Sequence, residues 1–491
     1  MDRVALATGE YPETVEQSVL DFLNDLVARG LLTFGLTQGR VSLPWSRCAG
    51  PQRSGTYAPQ MDPVQGAREL GSVLDTAEAA SPVEAVEAVT RELGLALGAT
   101  KVSFLVADMS GRALVRLAHV RMRNVNGADI ITPLGDDERR AVEESATVLP
   151  FDGGPAELAV RTQEVQVVPL DQGAWMVLAP VTERGEIIGI LELTLPDRPE
   201  TGSLGEIARL AHLLAFVVIA NRRHTDLYEW GQRTRPLSLS AEIQHQLLPG
   251  PQTCEAGSFT LAGWLEPASN IAGDTFDFSL ARDVLHLSLT DAMGHGVAAA
   301  LAATLCVGSL RNARSEGASL LEQVTRTNQA LLEHAAKSGL EDFVTGLIGR
   351  VDLRAGSLEL VNAGHVGPYL TRGDELIGLD LHIDVPLGLF GDTAYRSSRV
   401  DMEPGDRIVL LTDGMLERNA VNVDLPGAIR ETRSLHPREA VRALADRVLE
   451  ATDGALSDDA TVLCLDWHGD HGRDRVTAYG AEQGRASAAL T

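Results

Sequence analysis

The chain has 491 residues, enough for about three domains at roughly 100–200 residues each. It carries 42 Lys and Arg against 68 Asp and Glu, and its formal charge of −26 disfavours binding to a nucleic-acid backbone or to an anionic membrane surface. Hydrophobic residues make up 44% of the chain and aromatic residues 4%, which is typical of soluble globular domains with aliphatic cores.

Cysteine spacing and apolar segments predict the cellular compartment. Cys48, Cys254, Cys306 and Cys464 form no CxxC or zinc-like pattern, which favours reduced thiols in the cytoplasm. The first residues lack the charged and apolar segments of a secretion signal. The most apolar stretch, residues 210–220, is shorter than the roughly 20 residues that cross a bilayer. We therefore expect a cytoplasmic protein that contacts neither membrane nor nucleic acid.

Residues 1–44 predict a helix followed by a hairpin. Val15, Val19 and Phe22 recur at helical spacing before Gly30, and residues 33–43 alternate like a hairpin. This element resembles a winged-helix or PqqD-like peptide-binding fragment, but so short a pattern is also common in segments with neither function. Residues 45–66, rich in Ser, Gly, Pro and Gln, are expected to be a linker.

Residues 67–222 predict a helix, strands, a second helix and further strands. Residues 101–107 and 113–119 alternate as strands, and residues 175–180 and 185–194 predict a hairpin. The pattern resembles a GAF domain, a sensory α+β fold, which implies a small-molecule ligand or a partner at this domain. His119 lies in a predicted strand, where a structural role is the more common one.

Residues 223–250 are interpreted as a helical linker or switch. A long helix over residues 205–230 leads into it, and a second helix over residues 241–248 is capped by Ser238 or Ser240. The apolar stripe of the long helix fits packing on the preceding sheet and a homodimer seam equally well. That stripe consists of Ile207, Leu210, Leu214, Val217 and Val218.

Acidic residues stand at the ends of predicted strands in residues 251–468. Strands over residues 285–290 and 407–412 are followed by Asp291 and Asp413, and a strand over residues 460–465 is preceded by Asp458-Asp459. Asp274 and Asp277 lie just upstream of the first strand. Acids at the end of two strands and the start of a third can share one edge of an antiparallel sheet.

A cluster of carboxylates needs protons or a cation. Two carboxylates ~4 Å apart repel by about 4 kcal/mol at an effective dielectric constant of 20. Ligation by carboxylates alone favours Mg²⁺ or Mn²⁺ over zinc. A single Asp-Gly is more often a turn than a metal ligand, but the ordered set of acidic motifs favours a metal site.

The carboxy-terminal motifs resemble the SpoIIE/RsbU-type phosphatase domains of the PPM (protein phosphatase 2C-like) family. In chain order the motifs are Ile243-Gln244 with Leu247-Leu248-Pro249, Pro267-Ala268 leading to Gly273-Asp274, Asp291 through Gly296, Phe343-Val344-Thr345, Ala363-Gly364-His365, Pro386-Leu387-Gly388, Thr412-Asp413-Gly414 and Asp458-Asp459-Ala460-Thr461. The predicted phosphatase domain spans residues 251–468, and residues 469–491 are expected to be a disordered tail.

The resemblance implies the fold class and the activity. We expect an α+β multidomain protein in which a GAF-like sensor is followed by a PPM-type α/β-β/α sandwich of two antiparallel sheets flanked by helices. The implied activity is that of a bacterial, metal-dependent phosphoserine/phosphothreonine protein phosphatase that acts on an anti-sigma-factor antagonist in signal transduction. Water attacks phosphorus directly in this family, so no covalent phospho-enzyme is implied.

The resemblance also implies roles for individual acids. Two Mn²⁺ or Mg²⁺ ions are implied, and their ligands and catalytic residues would be Asp274, Asp291, the Ala292 carbonyl, Asp413 and Asp458. Asp277 and Asp459 are expected to support these ligands, and His295 and His365 to have structural or supporting roles. The family's phosphate-binding arginine has no clear counterpart in this sequence.

Two other function classes compete with the phosphatase. A non-enzymatic signalling scaffold with a degenerate phosphatase domain is disfavoured because the four aspartates are retained. A nucleotide cyclase with paired aspartates lacks support, since residues 272–276 do not form a cyclase motif.

Overall fold

Three β-sheets organise the part of the chain that the structure describes. The computed structural model describes residues 63–109, 111–125, 128–131, 147–232, 237–268, 273–338, 343–416, 423–452, 456–472 and 480–481. From Ala67 onward these residues belong to one unit. The predicted helix–hairpin of residues 1–44, residues 45–62 of the predicted linker and most of the predicted tail lie outside the described residues. The last four residues of the predicted linker, 63–66, instead begin the helix Pro63–Ala79.

The first sheet is packed between helices. Its strands are β1 (Lys101–Ala107), β2 (Ala113–Val125), β3 (Ala128–Ile131), β4 (Thr147–Pro150), β5 (Gln166–Pro169), β6 (Trp175–Glu183) and β7 (Glu186–Leu195). The accompanying helices are α1 (Pro63–Ala79), α2 (Ala85–Ala96), α3 (Pro155–Thr162) and α4 (Thr201–Asn221). The strand order is β3-β2-β1-β7-β6-β5, with β4 also paired to β2, and the pairs are antiparallel.

The predicted strands of this region are confirmed. Strand β1 has the predicted bounds, β2 extends beyond the predicted residues 113–119, and β6 and β7 form the predicted hairpin across Arg184-Gly185. Both turn residues have positive φ, 47° and 80°, as a tight hairpin turn requires. The GAF resemblance remains a prediction.

The predicted helix over residues 205–230 is interrupted. Helix α4 ends at Asn221, a 3₁₀ turn follows over Arg222–His224, and Thr225 is extended before α5 (Leu227–Gln232). All five residues of the apolar stripe are buried in the core beneath the first sheet. Packing within the chain therefore accounts for this stripe.

Two helices are longer than the eleven-residue apolar stretch that the sequence suggested. Thr201–His224 and Gly296–Ser315 have mean hydropathies of 1.7 and 1.3, sufficient in length and composition to cross a membrane. In each, 44% of the most apolar window is buried inside the chain. Core helices of soluble proteins pass the same test, so this is weak evidence for a membrane span.

The linker contains α6 (Leu239–Leu247), which begins two residues before the predicted start. Ser238 is the N-cap, because its hydroxyl accepts a hydrogen bond from the Ala241 N–H at 3.2 Å. Of the two predicted caps, the structure thus selects Ser238. The helix ends where Leu248 becomes extended before Pro249.

Two further sheets form the rest of the described chain. The second sheet contains β10 (Asp274–Leu280), β11 (Val284–Ala292), β12 (Val344–Asp352), β13 (Ser357–Ala363), β16 (Ile383–Asp384) and β17 (Ser397–Asp401). The third contains β8 (Thr253–Glu255), β9 (Phe259–Glu266), β14 (Tyr369–Arg372), β15 (Glu375–Gly378), β18 (Arg407–Leu411) and β19 (Ala460–Trp467). Their helices are α7 (Gly296–Ser315), α8 (Leu320–Ser338), α9 (Leu425–Glu431) and α10 (Pro437–Ala451).

These two sheets pack face to face with helices outside. The core between them includes Phe276 and Leu289 from the second sheet and Phe259 and Leu463 from the third. Helices α7 and α8 pack on the outer face of the second sheet, and α9 and α10 on that of the third. This is the expected α/β-β/α sandwich, except that the two-residue strand β16 pairs parallel to β13.

Candidate metal centre

The predicted acids come from both sheets of the sandwich. Asp274 and Asp291 are cross-strand partners on β10 and β11 of the second sheet. Asp413 follows β18 and Asp458 precedes β19, which are neighbours in the third sheet. The hypothesis that all these acids share the edge of one sheet was wrong, because the strands that carry them separate into two stacked layers.

Asp274 is buried and held by the opposite sheet. Its Oδ2 accepts hydrogen bonds from the hydroxyls of Thr412 at 2.7 Å and Thr461 at 2.6 Å. Burial raises the pKa of Asp274 well above its usual range, and the charges of Asp291 and Asp459 raise it further. The two threonines partly offset this shift because they donate to the carboxylate.

Asp459 is the most completely bonded acid of the site. Its Oδ1 accepts from the Ala268 N–H at 2.8 Å, and its Oδ2 accepts from Gln244 Nε2 at 2.5 Å and the Gly273 N–H at 3.2 Å. Burial raises the pKa of Asp459 to about 6 despite these bonds. Both carboxylate oxygens are engaged by the protein, so this side chain ties together the segments around the site.

Asp291 lies within reach of the charges of Asp413 and Asp458. Burial raises the pKa of Asp291 to about 7, and the charges of Asp413, Asp458 and Asp459 contribute in that order. Asp413 is exposed at the start of a 3₁₀ turn, while Asp291 and Asp458 are half-buried. The charges of these three acids therefore act on one another at a part of the sandwich where Asp413 is open to solvent.

Close backbone approach explains two glycines of the acidic motifs. A Cβ on Gly273 would lie 2.5 Å from the Ala292 carbonyl oxygen and 3.3 Å from Asp291 Oδ1. A Cβ on Gly414 would overlap the Asp459 carbonyl oxygen. Only glycine allows these segments to approach so closely.

Asp277 is not grouped with the other acids. Its carboxylate pairs with Arg311 Nη2 at 2.9 Å and Arg314 Nη2 at 3.3 Å, both on α7. Arg311 Nη2 also donates to the Leu247 carbonyl oxygen at 2.7 Å, at the end of α6. Asp277 therefore supports the site indirectly, by joining α6 and α7 to β10.

The two histidines of the motifs differ in their surroundings. His295 is exposed and immediately precedes α7, where its side chain makes no capping hydrogen bond. His365 is buried, and its Nδ1 lies 2.8 Å from the hydroxyl of Thr345, the cross-strand partner of Asp291. Burial lowers the pKa of His365 to about 4, so its ring is neutral at physiological pH.

The oxygen donors of this site fit a hard divalent cation. They are carboxylates and a main-chain carbonyl, the ligands that Mg²⁺ and Mn²⁺ prefer. Within the described ranges, no three His, Cys, Asp or Glu side chains are grouped closely enough to hold an ion by themselves. Mg²⁺ is usually held by one or two carboxylates together with water, so a tighter group is not required. Burial is the main cause of the raised pKa values of Asp274 and Asp291, and a cation would relieve the repulsion between carboxylates that adds to it.

The sequence did not predict how these acids are held. Thr412, Thr461, Ala268 and Gln244 all stand in the motifs that carried the resemblance, but nothing in the pattern assigned them contacts with Asp274 or Asp459. Hydrophobic periodicity reports local structure, and these partners are 30 to 215 positions apart in the chain.

Comparison with known proteins places this centre in a family. The family model of stage II sporulation protein E (SpoIIE) matches residues 281–468, which include Asp291, Asp413 and Asp458. The chain is 24% identical over 236 residues to the phosphoserine phosphatase RsbU of Bacillus subtilis, covering 47% of this chain and 69% of RsbU. It is 24% identical over 191 residues to the phosphoserine phosphatase RsbP of the same organism, covering 38% of this chain and 46% of RsbP.

Solved structures of phosphatase domains also match parts of this chain. The PP2C phosphatase domain of SpoIIE from Bacillus subtilis, solved with a fragment of its regulatory domain, has a TM-score of 0.37 and 14% identity, over 62% of this chain and 82% of that chain. The SiaA-PP2C domain of Pseudomonas aeruginosa has a TM-score of 0.39 and 21% identity, over 46% of this chain and 94% of that chain. By the family match, residues 281–468 belong to a SpoIIE-type phosphatase domain of the metal-dependent PPM class.

Proposed function

We infer that this chain is a metal-dependent phosphoserine/phosphothreonine protein phosphatase. The observation that carries this inference is that the charges of Asp413 and Asp458, next to strands of the third sheet, act on Asp291 of the second sheet, and all three acids lie within the residues that match the SpoIIE family. RsbU and RsbP, to which the chain is similar, are named phosphoserine phosphatases. Asp413 is exposed and Asp291 and Asp458 are half-buried, which gives a phosphorylated side chain access to these acids.

The site residues divide into metal ligands and positioning residues, according to the contacts that they already make. We assign two Mn²⁺ or Mg²⁺ ions to the site, held by Asp274, Asp291, the Ala292 carbonyl, Asp413 and Asp458. When bound, such ions lower the pKa of water and neutralise phosphoryl oxygens.

Asp459 and the two threonines position this group and take no direct part in the reaction. Asp459 accepts three hydrogen bonds, and Thr412 and Thr461 fix Oδ2 of Asp274, which leaves its Oδ1 for an ion. These hydrogen bonds keep the carboxylates in the same orientation when the charge at the site changes as metal ions bind.

The proposed substrate is a signalling phosphoprotein of the anti-sigma-factor antagonist type, and the GAF-like region is the proposed regulator. The regulatory route is α6, since Gln244 donates both to Asp459 Oδ2 and, at 2.8 Å, to the Asp274 carbonyl oxygen. A movement of α6 therefore changes the hydrogen bonding of two site acids. A cytoplasmic location and a homodimer belong to the same proposal.

The competing proposal is a scaffold whose phosphatase domain no longer turns over. Hydrolysis of a phosphoserine protein by the full chain with Mn²⁺ separates the two. The phosphatase proposal requires activity that a chelator abolishes and that Asp291→Asn lowers by at least 100-fold. Asp401→Asn, at an exposed strand position outside the site, is the matched control and should retain activity. Absence of turnover with Mn²⁺ and Mg²⁺ would favour the scaffold.

A further inference from the structure

A cavity lies between the first sheet, the helical linker and the third sheet. It has a volume of about 570 Å³, within the size range of small-molecule pockets. The first sheet contributes the ends of β1 and β7, the linker contributes α5 and α6, and the phosphatase side contributes β9 and α10. None of the candidate metal ligands lines it, so the cavity is separate from the metal centre.

One part of the cavity wall is apolar and aromatic. Ile188 and Val218 line it from the first sheet and α4, and Phe151 and Trp264 contribute aromatic rings. The Arg442 guanidinium lies 5.5 Å from the centre of the Phe151 ring, a cation–π distance. This part of the wall is suited to an aliphatic or aromatic group.

The acids on the wall already have partners. They are Asp108, Glu186, Glu229 and Glu439. Asp108 accepts hydrogen bonds from two main-chain N–H groups, and Glu439 pairs with Arg438 at 3.2 Å. Glu186 is hydrogen-bonded to the Thr253 side chain, and Glu229 also has a partner. Each of these acids is therefore already engaged by a neighbouring group.

Some hydrogen-bond donors on the wall, unlike the acids, have no acceptor within the described residues. Arg222 and Arg223 line the cavity beyond the end of α4, and neither side chain makes an ion pair or hydrogen bond within the part of the chain that the structure describes. The buried Tyr228 hydroxyl also lacks a hydrogen-bond partner there, whereas Arg442 Nε lies 3.7 Å from the Asp446 carboxylate. Basic residues at a helix end interact favourably with the helix dipole, but this does not explain the buried Tyr228 hydroxyl without a hydrogen-bond partner.

We propose that this junction cavity binds a small organic anion with an apolar or aromatic body. The guanidiniums of Arg222 and Arg223 take the anionic group, and the wall near Phe151 and Trp264 takes the body. Carboxylates and phosphates share the chemistry that guanidinium recognises, since both accept paired N–H donors.

The position of the cavity connects such a ligand to the metal centre. His245 and Leu248 of α6 line the cavity, and Gln244 of the same helix holds Asp459 and the Asp274 carbonyl. A ligand that contacts α6 thus changes the hydrolytic rate, and this regulatory step rests on the proposed phosphatase function. Binding itself does not depend on that function.

The test uses 8-anilinonaphthalene-1-sulfonate, an aromatic sulfonate whose fluorescence rises in apolar surroundings, with the full-length chain. We expect saturable binding of one dye per chain. The double variant Arg222→Gln/Arg223→Gln should weaken the Kd at least tenfold. The second variant, Met109→Trp, fills the cavity from a half-buried wall position and should also reduce binding. Arg396→Gln/Arg399→Gln, which removes two exposed arginines near the second sheet, is the charge-matched control.

The outcomes separate the parts of the proposal. Binding that is unchanged in both cavity variants, or equally reduced in the control, overturns the site. Displacement of the dye by benzoate or by phenyl phosphate identifies the preferred anion. If the dye binds at the cavity but the chain has no phosphatase activity, the binding site is supported and the proposed function is rejected. If the chain is active but its activity does not respond to bound dye, only the regulatory step is rejected.

Discussion

The Thr461 hydroxyl donates a 2.6 Å hydrogen bond to Oδ2 of Asp274, and this contact joins the two sheets of the sandwich. Asp274 begins β10 in the second sheet, whereas Thr461 lies on β19 in the third. Thr412 donates to the same oxygen, and its own hydroxyl accepts the Thr461 N–H at 3.0 Å. The orientation of a candidate metal ligand is therefore fixed by the sheet it does not belong to.

We predict that Thr412→Val/Thr461→Val weakens Mn²⁺ binding by about 10–100-fold, the usual effect of removing groups that orient metal ligands. The buried Asp274 carboxylate would lose two donors, so its pKa would rise further and its ionised form would be less available. Titration calorimetry measures the effect. Thr327→Val is the matched control, because this buried hydroxyl bonds a helix carbonyl at 2.9 Å away from the site. Equal losses in both proteins would contradict the prediction.

We predict that Gln244→Ala lowers kcat about tenfold, as expected for loss of a hydrogen bond to a charged group of roughly 1.5–3 kcal/mol. The amide holds Asp459 at 2.5 Å and the Asp274 carbonyl oxygen at 2.8 Å. Gln246→Ala, two positions along α6 and exposed, should retain the normal rate. Steady-state kinetics at saturating Mn²⁺ test the difference, and identical rates for the two variants would reject a role for Gln244.

We predict that Asp291→Asn raises the Tm of the metal-stripped protein at pH 8. The pKa of Asp291 is raised to about 7, above its value in the unfolded chain, so the folded state binds more protons between about pH 4 and pH 7. The stability of the metal-free protein therefore falls as the pH rises through this window. The side chain introduced by Asp291→Asn does not ionise, so the variant does not lose this stability. Thermal unfolding should also show no Mn²⁺ stabilisation of Asp291→Asn. A lower Tm than the unaltered chain would contradict the electrostatic argument.

We predict that the free energy of unfolding decreases in acid because of the buried His436. Burial lowers the pKa of His436, and the neighbouring Arg438 lowers it further, although Glu255 at 3.0 Å and Asp466 act in the opposite direction. Below about pH 6.5, the usual pKa of histidine, His436 binds a proton in the unfolded chain but stays neutral in the folded chain. Stability therefore falls as the pH drops below 6.5.

Chemical denaturation of His436→Gln at pH 7.5, 6.5 and 5.5 measures this effect as a flatter dependence of the unfolding free energy on pH. The slope of the unaltered chain should exceed that of the variant by up to about 1.4 kcal/mol per pH unit. His224→Gln, at an exposed position, should keep the original slope. Parallel slopes for all three proteins would show that His436 titrates alike in both states.

We predict that Gly273→Ala destabilises the fold by about 1–3 kcal/mol, the range for overpacking a buried site. The added methyl group would lie 2.5 Å from the Ala292 carbonyl oxygen, so β10 and β11 must separate at the acids. Gly378→Ala is the control, because a methyl group added at that position would meet no atom within 4 Å. Urea unfolding compares the two, and a similar small change in both would mean that the strands separate at little cost.

The sequence by itself determined the local elements and the chemistry of the site. Alternation and helical spacing located β1, the β6–β7 hairpin and α6, and the order of the acidic motifs indicated a phosphatase domain without any knowledge of their geometry. Such signals are readable because they depend on neighbouring residues, whose side chains alternate between faces with a fixed period. The charge of −26 belongs mostly to surface acids and did not identify the few that meet.

Only the tertiary structure decided which acids meet and what holds them. Asp277 lies three positions from Asp274 in the same strand, yet it pairs with Arg311 and not with the metal centre. Asp274 and Thr461 are 187 positions apart and come together because two sheets pack face to face through a shared core. A pattern of residues predicts how one segment folds, whereas the contacts across that core depend on how segments far apart in the chain are registered and stacked.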